Sequence, residues 1–176
     1  QDTLAADFSA PKVEITPARA SGSEIKGSVQ LKGPQRNVGA KLRIASIEGS
    51  SSALSIPAVL IELDAASSGI SMKALLNAAI KANLAKQDLD VAVSGKLDES
   101  ALKAKVAVTN FAPLKATFDA SIERLNLDRY FPPERRDAEP NRPIDLAALK
   151  GKSVTGKLAV GVLTYRHAKL EDLKAE

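Results

Sequence analysis

Few side chains in this sequence could carry out chemistry, and none of them forms a recognisable catalytic pattern. His167 is the only histidine in 176 residues, and there is no cysteine. A histidine-rich metal site and a thiolate site are therefore excluded within one chain. His167 stands among charged residues near the C-terminal end, which favours a solvated side chain over the buried, oriented base of a Ser-His-Asp triad.

The remaining polar clusters are typical of turns and loops. Asp98-Glu99 and Glu171-Asp172 fall where the alternation of apolar and polar residues breaks, and Ser50-Ser51-Ser52 lies in a Gly/Ser-rich link. The glycines lack the spacing of a phosphate-binding loop. Arg135-Arg136 could meet anionic lipid headgroups, although an arginine pair in a loop is more often merely solvated. We therefore predict a protein that is not an enzyme and uses neither a metal nor a cofactor.

The composition also limits the ligands. Aromatic residues make up 3% of the chain and Trp is absent, so stacking on sugars or bases has little support. The 25 basic and 21 acidic side chains give a net charge of +4 and are interspersed. A nucleic-acid partner, which would favour a basic stripe, is not expected. The apolar fraction of 44%, mostly Ala, Leu, Val and Ile, can supply the core of one domain.

The elements that would position a site are strands, because apolar residues recur with a period of two. In 24–32, Ile25, Val29 and Leu31 alternate with polar residues, which puts one face of a strand on a core and the other in water. The stretch Gly33–Asn37 contains Gly-Pro and reads as a hairpin connection. The same alternation returns in 13–15, 38–44, 59–63, 89–97, 102–108, 114–122, 154–162 and 168–170.

One segment, Ile70–Leu84, also fits a helical stripe, but its neighbours favour a strand. Short helical turns are predicted at Leu127–Phe131 and Asp145–Leu149, and a proline-rich charged loop at 132–143 precedes a final hairpin, 152–173. We predict one all-β domain over 1–176, with nine or ten antiparallel strands in a meander. It would form either a curved open sheet with a groove or a sandwich.

The apolar side of these strands has almost no helix to cover it. The sheet could close into a sandwich whose interior is core, or curl into an open trough lined for hydrocarbon. Large exposed apolar patches are uncommon in soluble proteins, which favours the closed form. Periodicity does not separate the two.

The C-terminal half resembles a known family. The segment FDASIERLNLDRYFPP, 118–133, resembles the "fDl.ldrLnlDrYlPP" stretch of the AsmA family. Residues 144–151, 156–161 and 169–173 are similar to its "idLsaLkgl…G.l.ig.l…klknl" stretch, and 82–87 and 96–100 to its "anLakq…fdes" strands. The resemblance covers about 82–173 in the family's order.

This resemblance implies a location and a role. AsmA-like proteins are Gram-negative envelope proteins, typically anchored in the inner membrane by an N-terminal helix, with a β-rich periplasmic portion. They resemble bridge-like lipid-transfer proteins and are associated with outer-membrane biogenesis and phospholipid traffic. The chain starts at Gln1 without Met or signal-peptide features, so we expect a periplasmic fragment whose anchor lies upstream.

With the resemblance, an open groove becomes the favoured form, and a phospholipid or other acyl lipid becomes the expected partner. The alternative is an assembly module that contacts outer-membrane proteins or their assembly machinery through its strand edges. The aliphatic positions that would line the groove are Leu31, Leu42, Ile61, Leu63, Val91, Val93, Val106, Val108, Phe118, Ile122, Leu158 and Val160.

Overall fold

The computed structural model of the protein describes residues 2–16, 18–50, 52–67, 69–130 and 153–176. Almost all of these residues lie in strands. The elements, in chain order, are β1 (Thr3–Ser9), β2 (Lys12–Ile15), β3 (Ala20–Gly33), β4 (Arg36–Ser50), β5 (Ala53–Ser67), β6 (Ile70–Asn83), β7 (Asp88–Leu97), β8 (Ser100–Phe111), β9 (Leu114–Asn126), α1 (Leu127–Tyr130), β10 (Ser153–Tyr165) and β11 (Ala168–Ala175).

The described strands form one sheet in nearly sequential order. It runs β1-β3-β4-β5-β6-β7-β8-β9-β10-β11, and β2 pairs with β3 beside β1. Neighbours are antiparallel except β9 and β10, which are parallel. A tight hairpin cannot join parallel strands, so β10 does not continue the hairpin meander of the preceding strands. The loop predicted at 132–143 and the helical turn predicted at 145–149 lie outside the described residues.

The prediction of an all-β, curved open sheet is confirmed. The described part of the chain forms a single layer, so the sandwich alternative is not found there. The segment predicted from Ile70 is strand β6, paired on both sides by β5 and β7, and α1 matches the predicted turn at Leu127. The final hairpin is present as β10 and β11. The prediction that the strands are antiparallel is wrong for β9 and β10, which pair in parallel, and the sequence prediction omitted β1.

Bulges let the long strands bend without turning their apolar residues to the wrong side. In β5 the register shifts between Ile56 and Val59, at Pro57, which cannot donate to the strand ladder. The extra residue in β5 keeps the apolar residues before and after the bulge on the same face of the sheet, with Ile56 opposite Ile80 and Val59 opposite Ala78. A bulge also increases the local twist and bend. A second register shift lies between Val108 and Asn110 of β8.

Burial is strongest on one side of the sheet. The buried apolar residues, Ala20, Ile25, Val59, Ala78, Val108, Ile122 and Val160, all lie on the same face. No second layer packs on this face in the described ranges. The low solvent exposure of these residues must therefore come from the curvature of the sheet and from neighbouring side chains on the same face. Among the described elements, no helix has the length and apolar character needed to span a membrane.

Candidate functional site

The register of the sheet aligns aliphatic side chains into rows that cross the strands. Residues paired across strands point to the same face. One row consists of Phe8, Gly27, Leu42, Ile61, Leu76, Gly95, Leu102, Ile122, Val160 and Leu173. A parallel row consists of Ile25, Ile44, Val59, Ala78, Val93, Ala104, Ala120, Leu158 and Ala175. We call the face that carries these rows the apolar face.

All groove candidates from the sequence lie on the apolar face. Leu42, Ile61, Ile122 and Val160 belong to the first row, and Val93 and Leu158 to the second. The others occupy adjacent rows, through the pairs Leu31–Val38, Leu63–Ala74, Val91–Val106, Val106–Phe118 and Leu89–Val108. The strands that share one face, which periodicity left open, are thereby identified. Contact with lipid stays a prediction for these residues.

Sequence reasoning missed several members of the same face. Ile25, Ile44 and Leu102 have the same parity as the named candidates in their strands and could have been included. No candidate was named in β6, although its Leu76 lies in the first row. Phe8, the β1 member of the first row, was missed because β1 was not predicted, although Leu4, Ala6 and Phe8 alternate. The one buried polar side chain of the described residues is Ser100, on the same face at the start of β8.

The opposite face is polar and charged. Lys41 Nζ lies 3.9 Å from a Glu62 carboxylate oxygen, and Lys73 Nζ lies 3.2 Å from Asp64. These pairs link β4 to β5 and β5 to β6, and their side chains are exposed. Exposed ion pairs add little stability, but they mark the side that faces water. The sheet is therefore amphipathic, with one hydrated side and one aliphatic side.

The apolar face is enclosed at some positions and open at others. Ile122 and Val160 are 8% and 3% exposed, whereas Val106 and Phe118 are 36% and 39% exposed. At the edge strand β1, Phe8 reaches 75%. Large apolar side chains that are this exposed, on a face already lined by aliphatics, offer a surface for another apolar group.

Two aromatic rings lie across glycines on the apolar face. A Cβ at Gly156 would overlap the Phe118 ring, and a Cβ at Gly27 would lie 3.7 Å from the Phe8 ring. Each pair consists of directly facing residues on neighbouring strands. Because the glycines have no side chain, each ring can lie flat over the neighbouring strand and does not project from the apolar face.

At one end of the sheet, α1 fills a notch beside β6. Strand β7 ends with Leu97 opposite Ala74, so residues 70–73 of β6 extend past their β7 partner. Side chains supply the missing bonds. An Asp98 carboxylate oxygen accepts from the Lys73 amide at 2.8 Å, and Arg129 Nε donates to the Ser71 carbonyl at 3.0 Å. Buried or half-buried backbone groups need such partners.

Asp98 is the centre of this contact. It is only 11% exposed, it accepts from the Tyr130 hydroxyl, and it lies 3.3 Å from Arg129 Nη1. Burial raises the pKa of the Asp98 carboxyl, but the bonds from Tyr130 and Lys73 and the charge of Arg129 outweigh burial and hold the pKa below its ordinary value. Burial and the bond to Asp98 raise the pKa of Tyr130 to about 12.

The other side of α1 holds the last hairpin. Asp128 accepts from the backbone amides of Arg166 and His167, the latter at 2.8 Å, and these bonds lower the pKa of its carboxyl. Both turn residues have positive φ, 50° and 64°. The His167 side chain is exposed, as predicted, and its amide is what the fold uses. The Asp-Arg-Tyr triplet of α1 therefore connects the start of β6, the turn between β7 and β8, and the turn between β10 and β11.

The described residues hold no group of three or more His, Asp or Glu side chains that could bind a metal ion. The polar residues brought together, Asp98, Arg129 and Tyr130, bond to one another and to the backbone of β6. Comparison with protein-family models, with characterised proteins and with solved structures finds no match to this chain.

Proposed function

We propose that the protein binds the acyl chains of phospholipid or a related lipid on its apolar face, without catalysis. The observation that carries this proposal is the continuity of the face. Aliphatic rows run from β1 to β11, and no second layer of the described chain covers them. In water such a surface needs a hydrocarbon partner, because exposed apolar area of this extent is unfavourable.

The dimensions suit acyl chains. The path of ten paired strands gives a sheet about 43 Å wide at roughly 4.8 Å between strands. An acyl chain spans about 15 Å, half of the hydrocarbon thickness of a bilayer. Successive rows on one face lie about 6.6 Å apart, at two residues of roughly 3.3 Å each. Several chains can therefore lie on the face side by side.

The chemistry of the lining fits binding that depends on the tail of the lipid. Burial of hydrocarbon contributes about 0.8 kcal/mol per methylene, so a few rows of Val, Leu, Ile and Ala can hold a chain without polar contacts. The polar headgroup would stay in water beyond the rim. A lining with few aromatic and polar side chains makes no headgroup selection, which suits transport of mixed lipids.

We further propose that the chain is the periplasmic part of an AsmA-like protein that supports outer-membrane biogenesis and is anchored to the inner membrane upstream. Support comes from the segment that resembles the family. Its residues Asp128, Arg129 and Tyr130 each make a specific bond in this fold. An open amphipathic sheet is also the form that the resemblance implies.

Adjacent substitutions on opposite faces test the lipid proposal. Val93→Asp places a carboxylate on the apolar face, and Ser94→Asp adds the same charge one residue later on the exposed polar face. A charge against hydrocarbon costs several kcal/mol, so Val93→Asp should weaken binding of a fluorescent phospholipid at least tenfold. Ser94→Asp should bind like the parent. Equal binding by both folded variants would reject the apolar face as the site.

The exposed edges favour a second candidate, an assembly module for outer-membrane proteins or their machinery. β1 and β11 each pair with one neighbour only within the described residues, and both are exposed along their length. A free edge can accept a strand from another protein. Capture of such a protein by a folded, lipid-free chain, independent of Val93, would favour this function.

A further inference from the structure

The outer edge of β1 is the most exposed apolar part of the sheet. β1 pairs with β3 through Thr3–Ser9, and no other described strand pairs with it. Its two largest side chains on the apolar face, Leu4 and Phe8, are 68% and 75% exposed. An open edge presents a row of backbone donors and acceptors that another strand can pair with.

The two edges of the sheet differ in protection. β11 carries Lys169, Glu171, Asp172 and Lys174, and Asp172 has a positive φ of 53°, which interrupts a regular edge. Such charges and irregularities discourage strand addition. β1 has a single charge, Asp7, and no proline. Ala10-Pro11 follows β1, and Pro11 has no amide hydrogen to donate, so the regular edge that another strand could pair with ends with β1.

We propose that β1 pairs antiparallel with β1 of a second copy of this chain, about a two-fold axis through Ala6. This register sets Leu4 opposite Phe8 of the second copy on the apolar face. On the polar face it sets Ala5 opposite Asp7, so that the two Asp7 carboxylates do not face each other. The register thus pairs a large apolar side chain with another in both directions and avoids a contact between like charges.

This pairing extends the apolar face. The axis is perpendicular to the sheet, so the row through Phe8, Gly27 and Leu42 continues into the row of the second copy that runs through Leu4, Leu31 and Val38. The most exposed apolar side chains of the edge become internal. The interface has only the seven residues of β1 from each copy, so the dimer should be weak and dependent on concentration.

Opposite charges at Ala5 test the register. Ala5 is exposed and faces Gln30 within its own sheet, so either charge has a neutral neighbour there. In the proposed dimer, Ala5→Asp opposes Asp7 twice and Ala5→Lys pairs with Asp7 twice. Cross-strand charge pairs of this kind should weaken and strengthen dimerisation respectively by about three- to tenfold. Sedimentation velocity over a concentration series measures both dissociation constants.

The matched controls are Ala168→Asp and Ala168→Lys on the other edge strand, β11, which should leave the dissociation constant unchanged. A chain that remains monomeric at all concentrations would overturn the proposal. A dimer that is insensitive to both Ala5 variants but lost in Val93→Asp would overturn it as well, since that result indicates pairing through the apolar faces. Equal effects at Ala5 and Ala168 would place the contact elsewhere.

Discussion

Replacement of Asp98 by alanine should destabilise the sheet more than any other single carboxylate substitution on its polar side or turns. The change removes the acceptor of the Lys73 amide, at 2.8 Å, and of the Tyr130 hydroxyl, together with the ion pair to Arg129. A hydrogen bond to a charged group contributes about 1.5–3 kcal/mol. The Asp98 side chain is only 11% exposed, so little water can reach the groups that lose their carboxylate partner. We therefore expect the free energy of unfolding to fall by about 3 kcal/mol.

Urea unfolding followed by far-UV circular dichroism measures this loss, and Asp64→Ala provides the control. Asp64 also contacts Lys73, through its ammonium group at 3.2 Å, but the Asp64 side chain is 63% exposed. Exposed pairs contribute about 0–1 kcal/mol, so the control should unfold nearly as the parent does. If both variants lost the same free energy of unfolding, the contact between α1 and β6 would not stabilise the sheet as argued.

Three further outcomes follow from the same contacts. Because the pKa of Asp98 is lowered, its carboxylate stabilises the folded state above the ordinary pKa of 3.8, and this stabilisation is lost as the pH falls below that value. The free energy of unfolding of Asp98→Ala, measured over the same acid range, should lack this loss. The pKa of Tyr130 is raised to about 12, so its hydroxyl stabilises the folded state fully below pH 10.0 and loses this effect as the pH rises toward 12. In Tyr130→Phe, the urea concentration at the midpoint of unfolding should therefore depend less on pH between 10.0 and 12 than in the parent. Gly156→Ala should cost about 1–3 kcal/mol by displacing the Phe118 ring, whereas Gly39→Ala, with only a carbonyl oxygen 3.9 Å away, should be neutral in thermal melts.

The strands and their faces could be predicted from the sequence because the period of two is a local signal. In β6 every second residue from Ile70 is apolar, and the strand forms although Ala and Leu also favour helices, since β5 and β7 supply its hydrogen bonds. The same parity places the groove candidates on one side of each strand, and the pairing register, which the sequence does not show, joins these sides into one face. Alternation carries no information on strand direction, which is why the parallel pairing of β9 and β10 was not predicted.

The contacts of α1 could not be predicted, because they depend on strand lengths. Asp98 reads as an ordinary turn residue, and it is one. Its carboxylate gains a role only because β7 ends before β6 does, which leaves the Lys73 amide without a strand partner. Local sequence patterns reveal neither the difference in length between β6 and β7 nor the hydrogen bond from Tyr130, which lies 32 residues further along the chain.

The central claim, that the apolar face holds lipid, is tested most directly on the purified protein itself. The chain would be directed to the periplasm of a Gram-negative host, purified without detergent, and extracted with organic solvent for mass spectrometry. We predict co-purified phospholipid in amounts comparable to the protein, and clearly less from the Val93→Asp variant. A folded, strand-rich protein that carries no lipid would contradict the claim.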